Sequence, residues 1–185
     1  MHSGHVMTNE TSVVLTESIS PAIAQLVDEL SSWNHAITLE EIKVLASRHR
    51  ISREDLDQFV QFDDHEYSHQ PIAVGPFFEI GCIGWQPGQS SPIHDHRGCV
   101  CWVQIVDGPL TNIDYREDSS GRLNIAASDR YQAGEWFLKS DQDVHQLIND
   151  NTDGQNAVSL HVYSPPLLPM KDRIRFDRAK TSRSD

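Results

Sequence analysis

Positive charge, cysteine and long apolar runs are what this sequence has little of. Fifteen Lys and Arg stand against 27 Asp and Glu, a formal net charge of -12. That balance argues against polyanionic partners such as nucleic acid or an anionic membrane surface, and leaves a small molecule as the expected partner. No apolar run approaches the roughly 18 residues of a membrane helix. Residues 1–10 lack the basic-then-apolar order of a secretory leader. A soluble, cytoplasmic protein is the expectation. The three cysteines, Cys82, Cys99 and Cys101, are an odd number and do not form a secreted disulfide framework, so at least one thiol needs another account. With 185 residues, the chain is expected to form one domain, 1–185.

Two organisations follow one another. Over about 18–67 apolar residues recur at helical spacing: Ile23, Leu26, Val27 and Leu30, then Leu39, Ile42, Val44 and Leu45. Capping residues mark the starts, with Ser20 before Pro21, Thr38 three before Glu41, and Ser52 three before Asp55. The pattern predicts short helices near 21–32, 39–49 and 53–60. Over about 70–165 it changes to runs rich in β-branched and aromatic residues, cut by Gly and Pro turn signals. Strands are expected at 77–85, 99–106, 110–115, 123–127, 135–138, 145–148 and 157–163. Many short, evenly spaced strands imply an antiparallel barrel or jelly roll, a mainly β fold with a short N-terminal helical segment. Residues 166–185 turn basic and are expected to form a tail across the barrel. Trp85, Trp102 and Trp136 read as barrel packing, Cys82 as a small buried hydrophobe, and His2, His5, His35, His49 and His65 as surface residues.

His94-Asp95-His96 is the most informative motif. On a strand, residues two apart share a face, so two imidazoles lie side by side with Asp95 opposite. Taken alone, such a pair is more often an exposed polar row than a metal site. A third histidine from another strand would complete a ligand set with coordination positions still open. Gly88, His94-Asp95-His96, Cys101 and Gly108 have the spacing of the first cupin motif, with cysteine where most cupins carry glutamate. Gly134, His145 and Asn149 have that of the second, with Ser140 and Gln142 where proline and glycine are usual. With the run Ser159-Leu160-His161-Val162-Tyr163-Ser164-Pro165-Pro166, and Phe62-Asp63 through Tyr67, nearly the whole chain closely resembles cysteine dioxygenase and its thiol dioxygenase relatives in the cupin superfamily.

That resemblance implies a cupin jelly roll holding Fe(II) on His94, His96 and His145, and oxidation of a small thiol by O2 to its sulfinic acid. Zinc fits the same ligands but cannot activate oxygen by redox chemistry, so the metal decides the reaction class. Cys101 and Tyr163 match the pair that forms a thioether crosslink in the family. His161 matches the histidine that orients the tyrosine, and Ser159 continues its row. At the substrate end the chain departs from the family. Tyr67-Ser68-His69 stands where Tyr-x-Arg is usual, and a histidine replaces the always-charged fork that suits a carboxylate. Arg97 and Arg173 are the alternative sources of positive charge, while Gln70 resembles the glutamine of 3-mercaptopropionate-type relatives. L-cysteine is the leading expected substrate, with a 3-mercaptopropionate-like acid or another small thiol as alternatives. A reading of another class keeps the metal without oxygenase chemistry, as a sensor, isomerase or hydrolase. The family is usually monomeric, and a monomer is expected.

Overall fold

In the computed structural model, residues 19–167 are described. Residues His2, His5, Arg173 and the expected tail beyond 167 lie outside them.

Three capped helical segments open the chain. Helix α1, Pro21–Ser31, begins where the Ser20 hydroxyl accepts from the Ile23 amide at 3.2 Å and Pro21 occupies the first turn. Helix α2, Leu39–Arg48, begins with a reciprocal capping box between Thr38 and Glu41. The third segment, Glu54–Phe59, is a 3-10 helix rather than the expected α-helix. Ser52 and Asp55 exchange hydrogen bonds at its start, and only Leu56 and Phe59 are buried, too short an apolar stripe to propagate α-helix. His49, expected at the surface, is half-buried and 2.7 Å from Glu29.

Eight strands follow, paired antiparallel: β1 Ser68–Val74, β2 Glu79–Trp85, β3 Val100–Asp107, β4 Leu110–Glu117, β5 Leu123–Tyr131, β6 Trp136–Lys139, β7 Val144–Ile148 and β8 Ala157–Ser164. They form a five-stranded sheet in the order β1-β2-β8-β3-β6 and a three-stranded sheet in the order β5-β4-β7. The mainly β architecture with three short helices agrees with the expected cupin barrel. Strand β1 was not among the expected strands, the first of which began at 77. Its place at the sheet edge explains it: proline lacks a ladder donor, is tolerated there, and the register shifts between Pro71 and Ala73. Strand β5 runs four residues beyond the expected 127 and is largely exposed, so burial gave its second half no alternating signature.

Strand β8 is central and buried along its whole length, and its two faces serve two cores. Val158, Leu160 and Val162 face α1 and α2, packing with Ile23, Leu26 and Ile42. Ser159, His161 and Tyr163 alternate to the barrel interior, where Ile83, Trp85, Cys101 and Val103 lie. The tryptophans divide in the same way. Trp85 points inward, whereas Trp102 and Trp136 belong to the core under the helices. Cys82 sits in that helical core as expected, fully buried, its thiol pushed up to about 12 by desolvation.

Buried polar clamps lock the helical segment to the barrel. Gln104 accepts from the Ile51 amide at 3.3 Å and donates to its carbonyl at 2.7 Å, and Ser164 Oγ accepts from Ile37 while donating to Phe77. Asn149 explains its own place in the second motif, donating to the carbonyls of Trp85 and Gln155 at 3.0 Å. At Gly108, with φ of 61°, a Cβ would meet the Asn156 carbonyl oxygen at 2.2 Å, so only glycine fits this turn.

Candidate metal centre

His94 and His96 do not lie on a regular strand. They lie in an extended loop that touches β7 through two isolated bridges, Ser90 with Ile148 and His94 with His145, the latter with reciprocal backbone hydrogen bonds of 3.0 and 2.9 Å. Extended backbone keeps the alternation that the sequence predicts: both imidazoles join His145, while Asp95 turns away, buried and 3.7 Å from Arg97. The loop then ends in two left-handed residues, Arg97 (φ 40°) and Gly98 (φ 85°).

One ligand atom from each of His94, His96 and His145 lies within 4.8 Å of the others, and all three residues are buried. Ring centroids are 4.7–5.3 Å apart. The orientation is fixed from behind. His94 Nδ1 is 2.9 Å from the Pro92 carbonyl oxygen and His145 Nδ1 is 2.8 Å from Asn112 Oδ1. An acceptor at Nδ1 places the ring proton there and leaves the Nε2 lone pair for a metal. His145 Nε2 is buried with no hydrogen-bond partner, an orphaned acceptor that a cation would satisfy. These residues fit a divalent transition metal.

Burial holds the His145 imidazole well below its ordinary 6.5, reinforced by His94, His96 and Lys139. Below pH 6.5 the unfolded chain therefore takes up a proton that the folded metal-free protein refuses, and stability falls as pH falls. The expected loss is about 1.4 kcal/mol per pH unit below 6.5, until the folded value is reached. Denaturant titrations of metal-free wild type and His145→Gln should differ by that slope; parallel curves would contradict it.

The centre opens into a cavity of about 590 Å³. One wall is the inward row of β8: Trp85 Nε1 donates to Ser159 Oγ at 2.9 Å, Ser159 Oγ is 2.8 Å from His161 Nε2, and His161 Nδ1 is 2.9 Å from the Tyr163 hydroxyl. Cys101 stands directly opposite Tyr163 in the β3–β8 register, buried in the same inner core. Cys99 instead lies before β3, its thiol 3.8 Å from the Pro166 carbonyl oxygen. Tyr67 also lines the cavity, stacked on Trp85 with ring centroids 4.8 Å apart.

Of the residues expected at the substrate end, His69 lines the cavity but Arg97 does not. Arg97 lines a separate hollow with Asp95, Gly98, Asp141 and Gln142, because the left-handed turn swings it away from the ligands. Asn112, Glu66 and Glu79 went unnoticed in the sequence. Asn112 had one signal, a polar residue inside the apolar start of β4; the glutamates had none.

The chain matches the family described as cysteine dioxygenase type I over residues 7–179. It is 27% identical over 162 residues to cysteine dioxygenase type 1 of Danio rerio, spanning 85% of this chain and 79% of the relative. To the Rattus norvegicus protein of the same name it is 23% identical over 158 residues, spanning 82% and 78%. A conserved Klebsiella pneumoniae protein with a double-stranded β-helix domain is similar over 60% of this chain and 86% of its own, at 15% identity and a TM-score of 0.48. Family match and three-histidine site together make the chain a member of the cysteine dioxygenase type I family of enzymes.

Proposed function

We propose that this protein is an iron(II)-dependent thiol dioxygenase that adds both atoms of O2 to the sulfur of a small thiol, L-cysteine foremost, giving the sulfinic acid. The observation that carries this reading is the neutral three-histidine face at the floor of a cavity whose wall bears Tyr163 opposite Cys101. Iron(II) on His94, His96 and His145 would supply the redox chemistry that joins a thiolate to oxygen, with positions left for both.

The protein's own residues orient the reactants. Trp85, a donor only, donates to Ser159 Oγ and leaves the Ser159 hydroxyl proton available to His161 Nε2. With Ser159 donating, the imidazole proton sits on Nδ1 and is donated to the Tyr163 oxygen, and the phenol hydrogen turns into the cavity to meet a bound oxygen or substrate group. A thioether between Cys101 Sγ and the Tyr163 ring would hold that phenol in place; its formation removes the thiol hydrogen and one ring hydrogen, both passing to oxygen. The facing register supports that bond. The reaction takes place in a cavity lined on one side by Ile83, Leu147 and Leu167, which limits water.

Metal analysis with thiol-dependent oxygen uptake and mass identification of the product tests the proposal. Iron-dependent uptake with sulfinate formation is expected; turnover retained without bound iron sinks the mechanism. Thiol binding with no oxygen consumed by the iron-loaded protein would favour a sensor.

A further inference from the structure

Beside the three histidines the barrel buries a permanent positive charge. Among the described residues Lys139 is the only Lys or Arg that is buried. It ends β6, where Phe137 packs into the inner core and Lys139, two residues on, faces the same way. Its ammonium pairs with Asp114 of β4, so this ion pair ties the five-stranded sheet to the three-stranded one.

Three observations set the pair beside the metal ligands. Asp114 stands directly opposite His145 in the β4–β7 register, two residues from Asn112, which holds His145 Nδ1. The ammonium lies 5.5 Å from the centre of the Phe137 ring, and that ring meets His145 edge-on at a centroid distance of 6.5 Å. Lys139 also stands opposite Cys101, which in turn stands opposite Tyr163. Neither Lys139 nor Asp114 lines the cavity, so the ammonium acts through its charge and not by touching a bound ligand.

The two ends of the pair are unequally screened. The Lys139 side chain is 9% exposed and that of Asp114 31%. Water therefore weakens the field of the carboxylate more than that of the ammonium, and the inner core feels a net positive potential. Stability does not explain the pair. Burying two charges costs their hydration, and a well-packed apolar pair of similar volume is often as stable or more so.

We infer that Lys139, anchored by Asp114, biases the open positions of the three-histidine centre toward anionic ligands, a thiolate above all, at the expense of affinity for the metal itself. This rests on the thiol dioxygenase reading and deepens it, with Lys139 as a positioning residue. A fixed cation repels a divalent ion and attracts an anion bound to it, so removing the charge moves the two affinities in opposite directions. Loosened packing would lower both.

The test uses the full-length protein loaded with Co(II), whose visible absorption reports its ligands. Azide serves as the anionic probe and imidazole as the neutral one, and chelator competition measures metal affinity. Lys139→Met should weaken azide binding about tenfold, the order expected of one interior charge at an effective dielectric of about 20. It should leave imidazole binding within about twofold and keep or raise metal affinity. Lys139→Arg retains the charge and should bind azide within about threefold of wild type. Should Lys139→Met fold poorly because Asp114 is left alone, the double variant Lys139→Met with Asp114→Leu removes both charges, and the same selective loss of azide is expected. Azide and imidazole weakening together, azide binding that ignores the charge at 139, or a fall in metal affinity in the folded variants overturns the inference. If azide binding follows that charge while the iron(II)-loaded wild type consumes no oxygen with any thiol, the reaction assignment fails and the role of Lys139 stands. Thiol-dependent oxygen uptake beside azide binding that ignores Lys139→Met leaves the reaction standing and removes Lys139 from it.

Discussion

His94→Ala and His145→Ala should each retain less than about a tenth of the wild-type metal and lose thiol-dependent oxygen uptake by at least about 10³-fold, because two imidazoles leave the ion with too few fixed ligands. Metal analysis and oxygen electrode traces on the folded variants measure both. Circular dichroism should show the sheet intact, since the inner core of Trp85, Cys101, Val103 and Ile105 is untouched. Asn112→Ala gives a graded comparison. It leaves all three ligands but frees the His145 ring from its 2.8 Å acceptor, and metal affinity should fall about 10–100-fold, the usual cost of losing an outer hydrogen bond to a ligand. Full metal content and full turnover in His94→Ala would remove the three-histidine centre from the reaction.

The contrast between the two ligand substitutions and Asn112→Ala marks what sequence can carry. His94, His96 and His145 were legible because strand alternation and motif spacing are local properties, and they survive although the first two sit in an extended loop joined to β7 only by isolated bridges. The inward row Ser159, His161 and Tyr163 was legible for the same reason: one strand, period two. Asn112 was not, because its role depends on β4 lying beside β7 so that Oδ1 meets His145, a pairing set by sheet order. The wall around Glu66, His69 and Glu79 was least legible, because it is assembled from the loop before β1, β1 itself, the start of β2 and the segment after β8, and because a Cβ on Gly81 would meet His69 Nε2 at 2.3 Å, so that a missing side chain makes room for the imidazole. Arg97 shows how little adjacency to His96 fixes: it stands in a left-handed turn and lines a separate hollow. Strand β1 was hidden by Pro71, which a central strand would reject and an edge strand accepts.

Tyr163→Phe should lower kcat by about 10²-fold while leaving metal content unchanged, the scale expected when a positioned proton donor is removed from the reacting groups. The substitution keeps the ring that packs in the inner core and deletes only the hydroxyl that meets His161 Nδ1 at 2.9 Å, so its effect reads the phenol rather than the fold. Cys101→Ser separates the covalent contribution from the acidic one: the phenol and its hydrogen bond remain, the thioether cannot form, and the loss should be closer to about tenfold, the scale of modestly loosened positioning. Peptide mass spectrometry of wild type should find Cys101 and Tyr163 in one linked pair, two hydrogens lighter than the separate peptides. Trp85→Phe probes the far end of the chain. It retains an aromatic surface against Tyr67 but removes the donor to Ser159, so the Ser159 hydroxyl no longer has a fixed direction and His161 can place its proton on either nitrogen. The expected signature is a changed pH profile of kcat with KM nearly constant, which a purely structural role for Trp85 would not produce. A Tyr163→Phe variant within about twofold of wild type would remove the phenol from the chemistry and reduce the Trp85–Ser159–His161 chain to core packing.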